Sequence, residues 1–336
     1  QPTSRRAESV ARELTYRDAL REALLQEMRR DERVFIMGED IAAYGGAYAV
    51  TKGLVDEFGE DRVMHMPISE NGFCGAALGA AMTGLRPVVE LMYGDFLLLA
   101  ADAVLNEAAK YRYMCGGGEF RVPMVVRAAG CGTGTGSGCH HSQSLEALAM
   151  HFPGVKVAIP STPYDAKGLL KTAIRDDNPV VFFEHKLLYG TRGTVPEREY
   201  LIPFGQAVSR RPGSRVTIIS YSYACLKALK AADQLAQEGI DAEVIDLRTL
   251  LPLDMDTVLT SVRKTRRVVV AEDDTRTGGA GAEVVARIAE EGLDYLDAPP
   301  VRVAAADVPI PASRYGEKFV TPSADDIAAA VRGLLE

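Results

Sequence analysis

Three short stretches of this chain carry side chains able to do chemistry. The first, Pro67-Ile68-Ser69-Glu70-Asn71-Gly72-Phe73, stands between a short apolar segment, Arg62 to Met66, and a small-residue helix predicted over Gly75 to Gly84. A carboxylate at the end of a strand and the mouth of a helix lies where open parallel sheets bind ligands, so Glu70 could act on a bound organic cofactor. The same position also suits a first-turn acid that stabilises a helix N-terminus by roughly 0.3–1 kcal/mol. The second stretch is His140-His141-Ser142-Gln143-Ser144, on a loop before a predicted helix. Adjacent histidines on a loop seldom chelate one metal unaided, and no acid stands at an obvious ligand spacing. A Ser-His hydrolase would call for a Gly-x-Ser-x-Gly elbow, which is absent. His141 therefore reads either as a proton carrier or as a polar loop residue, and Ser142 or Ser144 as a helix cap. In the third stretch, Tyr93-Gly94-Asp95-Phe96, the aromatic Phe96 either packs in the core or stacks on a planar ring.

The glycine-rich run Gly130 to Gly138 invites a nucleotide reading that its spacing does not support. No Lys-Ser or Lys-Thr follows it, and Gly132 and Gly134 are followed by Ser137 where Gly-x-Gly-x-x-Gly needs glycine. A loop in which glycine lets backbone approach a ligand or partner fits better. A Gly-Asp-Gly tract with a downstream Asn, which holds magnesium and diphosphate in thiamine-diphosphate enzymes, is also missing, because Gly94-Asp95 is followed by Phe96.

The elements that must position these residues alternate. Thr15 with Asp18 opens a helix in capping-box style, carrying Leu20, Leu24 and Met28 at i, i+4, i+8. Strands are predicted at Val34–Met37, Pro87–Leu91, Val122–Ala128, Val155–Ile159 and Val180–Glu184. Between them, helices are predicted over Val50–Phe58, Gly75–Gly84, Ala101–Tyr113, Ser144–His151 and Tyr164–Arg175. The polar segment 190–204, with Pro196 and no period, reads as a linker. A second series follows: strands Val216–Ile219, Ala242–Ile245 and Arg267–Ala271 with helices Ala224–Glu238, Asp254–Val262 and Ala282–Ala289. This pattern predicts an α/β protein of two doubly wound domains, 15–189 and 205–336, behind an N-terminal extension, 1–14.

Composition bounds the rest. The 336 residues are 47% hydrophobic and 25% charged, with a formal net charge of −8, which disfavours nucleic acid as a partner. No apolar run approaches the length of a membrane span, so no membrane partner is expected. Five cysteines without a Cys-x-x-Cys pair read as thiols of a reducing compartment. A cytoplasmic location is expected, or the mitochondrial matrix if an upstream transit peptide was removed.

Taken in order and spacing, several motifs make the chain resemble the beta subunit of the decarboxylating component of 2-oxo acid dehydrogenase complexes. They are Met37-Gly38-Glu39-Asp40, Pro67-Ile68-Ser69-Glu70, Gly84-Leu85-Arg86-Pro87-Val88 and His141-Ser142-Gln143-Ser144. Further on come Asp165-Ala166-Lys167-Gly168, Asp177-Asn178-Pro179-Val180, Val244 to Thr249 and Asp307-Val308-Pro309. The resemblance covers nearly everything from about Leu14 onward. It implies transketolase-like pyrimidine-binding and C-terminal domains, and a thiamine diphosphate site shared with a separate alpha subunit in an alpha2beta2 heterotetramer. That alpha subunit would bind Mg2+ and the diphosphate, in keeping with the tract missing here.

The resemblance further implies that Glu70 bonds the pyrimidine N1′, that Phe96 stacks on the pyrimidine and that Ile68 helps position the cofactor. It gives His141 proton handling or acyl transfer to the lipoyl group of a dihydrolipoamide acyltransferase. It also implies a monovalent cation, K+, on the main-chain carbonyls of Ala173, Asp176 and Asn178. Glu184 to Tyr189 and Ser144 to Ala147 look more like the pyruvate and acetoin members than the branched-chain one. The rival readings are a branched-chain enzyme, a non-catalytic α/β scaffold and a stand-alone NAD-dependent oxidoreductase, the last opposed by the failed glycine spacing.

Overall fold

Thr15 opens the first helix, Tyr16–Arg30, as its spacing predicts: its Oγ1 accepts the Asp18 N–H at 3.1 Å, while Leu20, Leu24 and Met28 face the core. The computed structural model describes residues 11–336. Among them, two sheets of mainly parallel strands are each covered by helices.

The first sheet has seven strands in the order Thr249–Leu251, Lys156–Ala158, Val180–His185, Val125–Cys131, Arg86–Leu91, Val34–Gly38, Val63–His65. All pairs are parallel except the edge pair made by Thr249–Leu251. The central strands are buried from end to end, as both-face coverage by helices requires. The second sheet runs Val301–Ala305, Val268–Thr275, Val216–Ser220, Ala242–Asp246, Val208–Arg211, the last strand antiparallel. The fold class is therefore the one expected, with one addition: the edge strand Thr249–Leu251 comes from the C-terminal half of the chain, so the two halves share a sheet.

Several elements differ from the expected bounds. The segment expected as a structureless linker, 190–204, carries the strand Arg192–Pro196, which pairs antiparallel with Ala11–Thr15, part of the expected extension. The helix expected over Val50–Phe58 is only Leu54–Phe58, because Gly53 stands before it at φ 84. The glycine helix begins earlier than expected, at Glu70, and runs to Met82. The helix expected from Ala101 opens as a wide π-type segment, Asp102–Ala108, before continuing as Ala109–Met114. The strand expected to end at Ala128 runs on as Val125–Cys131, and Ser144–His151 shortens to Glu146–Met150.

Beneath the carboxyl ends of the central strands lies a fully buried charge network. Arg127 donates from Nε and Nη2 to Glu184 at 2.6 and 2.8 Å and from Nη1 to Glu90, while Tyr189 donates its hydroxyl to Glu184 at 2.7 Å. Three strands are thereby tied through one guanidinium, whose planar fork suits a carboxylate bidentately.

Candidate active site

The first sheet places its chemistry at one edge. From Val34–Gly38 the chain crosses to the neighbour on one side, Val63–His65, then to the neighbour on the other, Arg86–Leu91. That reversal is a topological switch point, where open parallel sheets leave a crevice at their carboxyl ends. Glu39 directly follows the first of these strands, Glu70 opens the helix after the second, and Tyr93 to Phe96 follow the third.

Glu70 is 4% exposed although it begins a helix, where an ordinary first-turn acid stands in water. Ser69 at the N-cap makes no side-chain cap hydrogen bond, which leaves the first amides of this helix uncapped by it. Glu39 is 5% exposed, and its Oε1 finds no hydrogen-bond partner among the described residues. Burial, then the negative charges of Glu70 and Asp40, push Glu39 up to about 7 from an ordinary 4.5. Two buried carboxylates, one with an oxygen unpartnered among the described residues, thus face each other's charge at the switch point. Sequence reasoning missed Glu39 as a site residue, although its place at a strand's carboxyl end was the signal available.

The aromatic and histidine parts converge as a second cluster. The rings of Phe96 and His141 lie 5.4 Å apart at 75°, those of Tyr93 and His141 4.5 Å apart at 89°, and those of Tyr93 and Phe96 5.9 Å apart at 76°. Phe96 and His141 are both half-buried. Behind them the Lys186 ammonium donates to the His141 carbonyl and lies 5.6 Å from the Tyr93 ring centre. Asp95 Oδ1 accepts the Gln143 N–H at 3.1 Å, while its Oδ2 is unpartnered among the described residues. Burial raises Asp95 above the usual carboxylate range and lowers Lys186 below the usual ammonium range. Tyr93 and Asp95 flank the quoted Gly94, but Lys186 lay 45 residues beyond His141 with no motif to join them.

Ile68, two residues before Glu70, is 85% exposed. The carbonyls expected to hold a monovalent cation are partly engaged: Arg86 Nη1 donates to Asp176 O at 3.0 Å, and the Asp176 N–H to Ala173 O at 3.2 Å. Each carbonyl keeps a second lone pair for an ion, which would then lie beside the Arg86 charge. No three His, Cys, Asp or Glu side chains gather as a metal site among the described residues.

Comparison with known proteins fixes the kinship. The transketolase pyrimidine-binding domain matches residues 12–192 and the transketolase C-terminal domain residues 205–327. A pyruvate dehydrogenase E1 component subunit beta from Rickettsia felis is 48% identical over 95% of this chain and 98% of its own. A 2-oxoisovalerate dehydrogenase subunit beta from Bacillus subtilis is 43% identical over 96% and 99%. A split-gene transketolase, solved as an inactive beta4 tetramer, superposes with a TM-score of 0.78 at 23% identity, covering 97% of this chain and 98% of that one. The chain belongs to the family of beta subunits of the E1 component of 2-oxo acid dehydrogenases, built from the two transketolase-type domains.

Proposed function

We propose that this chain is the pyrimidine-binding half of a thiamine-diphosphate site that an alpha subunit completes, in an E1 enzyme acting on pyruvate or acetoin. The observation that carries the reading is the buried Glu70 at the switch point, beside a second buried carboxylate, Glu39, one oxygen of which is unpartnered among the described residues. The residues fit the cofactor: a buried acid for a ring nitrogen, and the half-buried aromatic ring of Phe96 for a planar ring. When bound, thiamine diphosphate supplies a carbon nucleophile and an electron sink for the bond to a departing carboxylate or acyl fragment.

This chain's own residues then have defined tasks. Glu70 would hold the pyrimidine ring nitrogen and the proton shared with it. Glu39, titrating at about 7, accepts or returns a proton beside Glu70 without a large free-energy step at neutral pH. Phe96 would stack on the pyrimidine, and exposed Ile68 would help position the cofactor. His141, its backbone held by Lys186, carries a proton at the substrate oxygen or at the lipoyl sulfur.

The relatives, each a beta subunit of such a dehydrogenase, support an E1 assembly with an alpha subunit. The alpha2beta2 stoichiometry, alpha-bound Mg2+ and delivery of the acyl group to a lipoyl-bearing dihydrolipoamide acyltransferase extend this reading, as does K+ on Ala173, Asp176 and Asn178. The family models, ending at 192 and resuming at 205, support a domain boundary within 190–204. No helix among the described residues is long and apolar enough to cross a membrane, and the cysteines are free thiols, which suits a reducing compartment such as the cytoplasm.

A branched-chain substrate is the second reading, favoured by the 43% identity to the 2-oxoisovalerate subunit. Assay of the co-purified alpha–beta pair with pyruvate, acetoin and 2-oxoisovalerate decides between them. The primary reading expects the highest kcat/KM with pyruvate or acetoin, and preference for 2-oxoisovalerate replaces it by the second. Failure of the pair to bind thiamine diphosphate in calorimetry would leave a scaffold subunit.

A further inference from the structure

We infer that Glu317, in the C-terminal half of the chain, is the positioning residue for the loop that carries His141. This rests on the reading of His141 as an active-site group.

Glu317 lies on the short helix Arg314–Val320 and is only 3% exposed. Its two oxygens grip the glycine loop of the other half: Oε2 accepts the Gly134 N–H at 3.0 Å and Oε1 the Gly136 N–H at 3.1 Å, across 183 and 181 residues of sequence. Those amides belong to residues at φ 117 and φ 73, left-handed values natural only to glycine, and their N–H groups converge into a concavity for an anion. A Cβ at Gly134 would sit 2.4 Å from Leu187 Cδ1, so the tight seat also excludes side chains. Beside it Arg314 Nε donates to Thr135 O at 3.3 Å.

The hold is transmitted to His141 by backbone. The loop is pinched where Gly132 N–H donates to Gln143 O at 3.1 Å, and within it His141 N–H donates to Gly138 O at 3.3 Å. Lys186 holds the main-chain carbonyl of His141 and Glu317 the loop five to seven residues before it, so the backbone carrying the imidazole is anchored from two different parts of the chain. Two amides of the glycine run are thus held by one buried carboxylate from the C-terminal half of the chain.

The test uses the assembled alpha–beta enzyme with Glu317→Ala and Glu317→Gln, read by amide hydrogen exchange and by steady-state kinetics. In Glu317→Ala, amides of residues 133–141 should exchange about tenfold or more faster, as loss of hydrogen bonds to a charged group implies, while those of Val216–Ser220 keep their protection. The same variant should lose about tenfold in kcat, with thiamine diphosphate Kd changed by less than about twofold. Glu317→Gln, which keeps one acceptor oxygen, should fall between. Unchanged exchange at 133–141, or exchange rising equally at Val216–Ser220, overturns the inference, as does full activity despite a loosened loop when His141→Ala is inactive. Full activity in His141→Ala itself strikes the earlier reading, while the exchange pattern still decides whether Glu317 anchors the loop.

Discussion

Glu39 and Glu70 stand at the carboxyl ends of adjacent strands, both buried, and the charge of one bears on the protonation of the other. Burial first, and the Glu70 charge second, bring Glu39 to about 7. Replacing Glu70 by Gln removes the second cause and leaves the first, so Glu39 should titrate below 7 yet above its ordinary 4.5. Carbon-13 NMR of labelled glutamate reads this directly. Between 4.5 and 7 the folded chain binds a proton at Glu39 that the unfolded chain has released, so stability falls as pH rises through that window. Glu39→Gln should flatten this fall. At about pH 8 it should be more stable than the parent by about 1–2 kcal/mol, allowing for partial solvent access, as followed by thermal melts across pH.

Arg127 is the group on which the central strands depend. Replaced by Met, it leaves Glu90 and Glu184 buried without a counter-charge, and unfolding in urea should show a loss of roughly 3–5 kcal/mol. Glu184→Gln keeps one acceptor for the guanidinium and should lose roughly 1–3 kcal/mol. A smaller loss for Arg127→Met than for Glu184→Gln contradicts this ordering.

Phe96→Ala removes the ring proposed to meet the pyrimidine. Stacking of aromatic rings contributes roughly 0.5–1.5 kcal/mol, so thiamine diphosphate should bind the alpha–beta pair about two- to tenfold more weakly by calorimetry. Phe96 is half-buried, so the fold itself should lose little. Unchanged affinity would place the ring in packing alone.

Much of this architecture is written locally. Thr15 and Asp18 mark a helix start because a cap needs only three residues, and the alternation of apolar runs marks the parallel strands. The Glu70 position was legible for the same reason, lying at a strand-to-helix junction. What escaped depends on partners distant in sequence. The polar run around Pro196 becomes a strand because Ala11–Thr15 supplies its ladder from across the chain, and Thr249–Leu251 finishes the sheet of the other half. The clustering of Lys186 with His141 and of Glu317 with Gly134 and Gly136 has no local signature, since long-range contacts fix both. Glu39 was visible as a motif letter, but its raised titration comes from burial and a neighbouring charge that only the folded chain brings together.

Glu70→Gln in the co-expressed alpha–beta pair, assayed for lipoamide-dependent turnover with thiamine diphosphate bound, tests the central claim most directly. Gln keeps the size of the side chain but cannot share a proton at the ring nitrogen. The expected result is a fall of about 10²–10⁴ in kcat while the cofactor still binds measurably in calorimetry. Turnover equal to the parent enzyme, at full cofactor occupancy, would contradict a role for Glu70 in the chemistry.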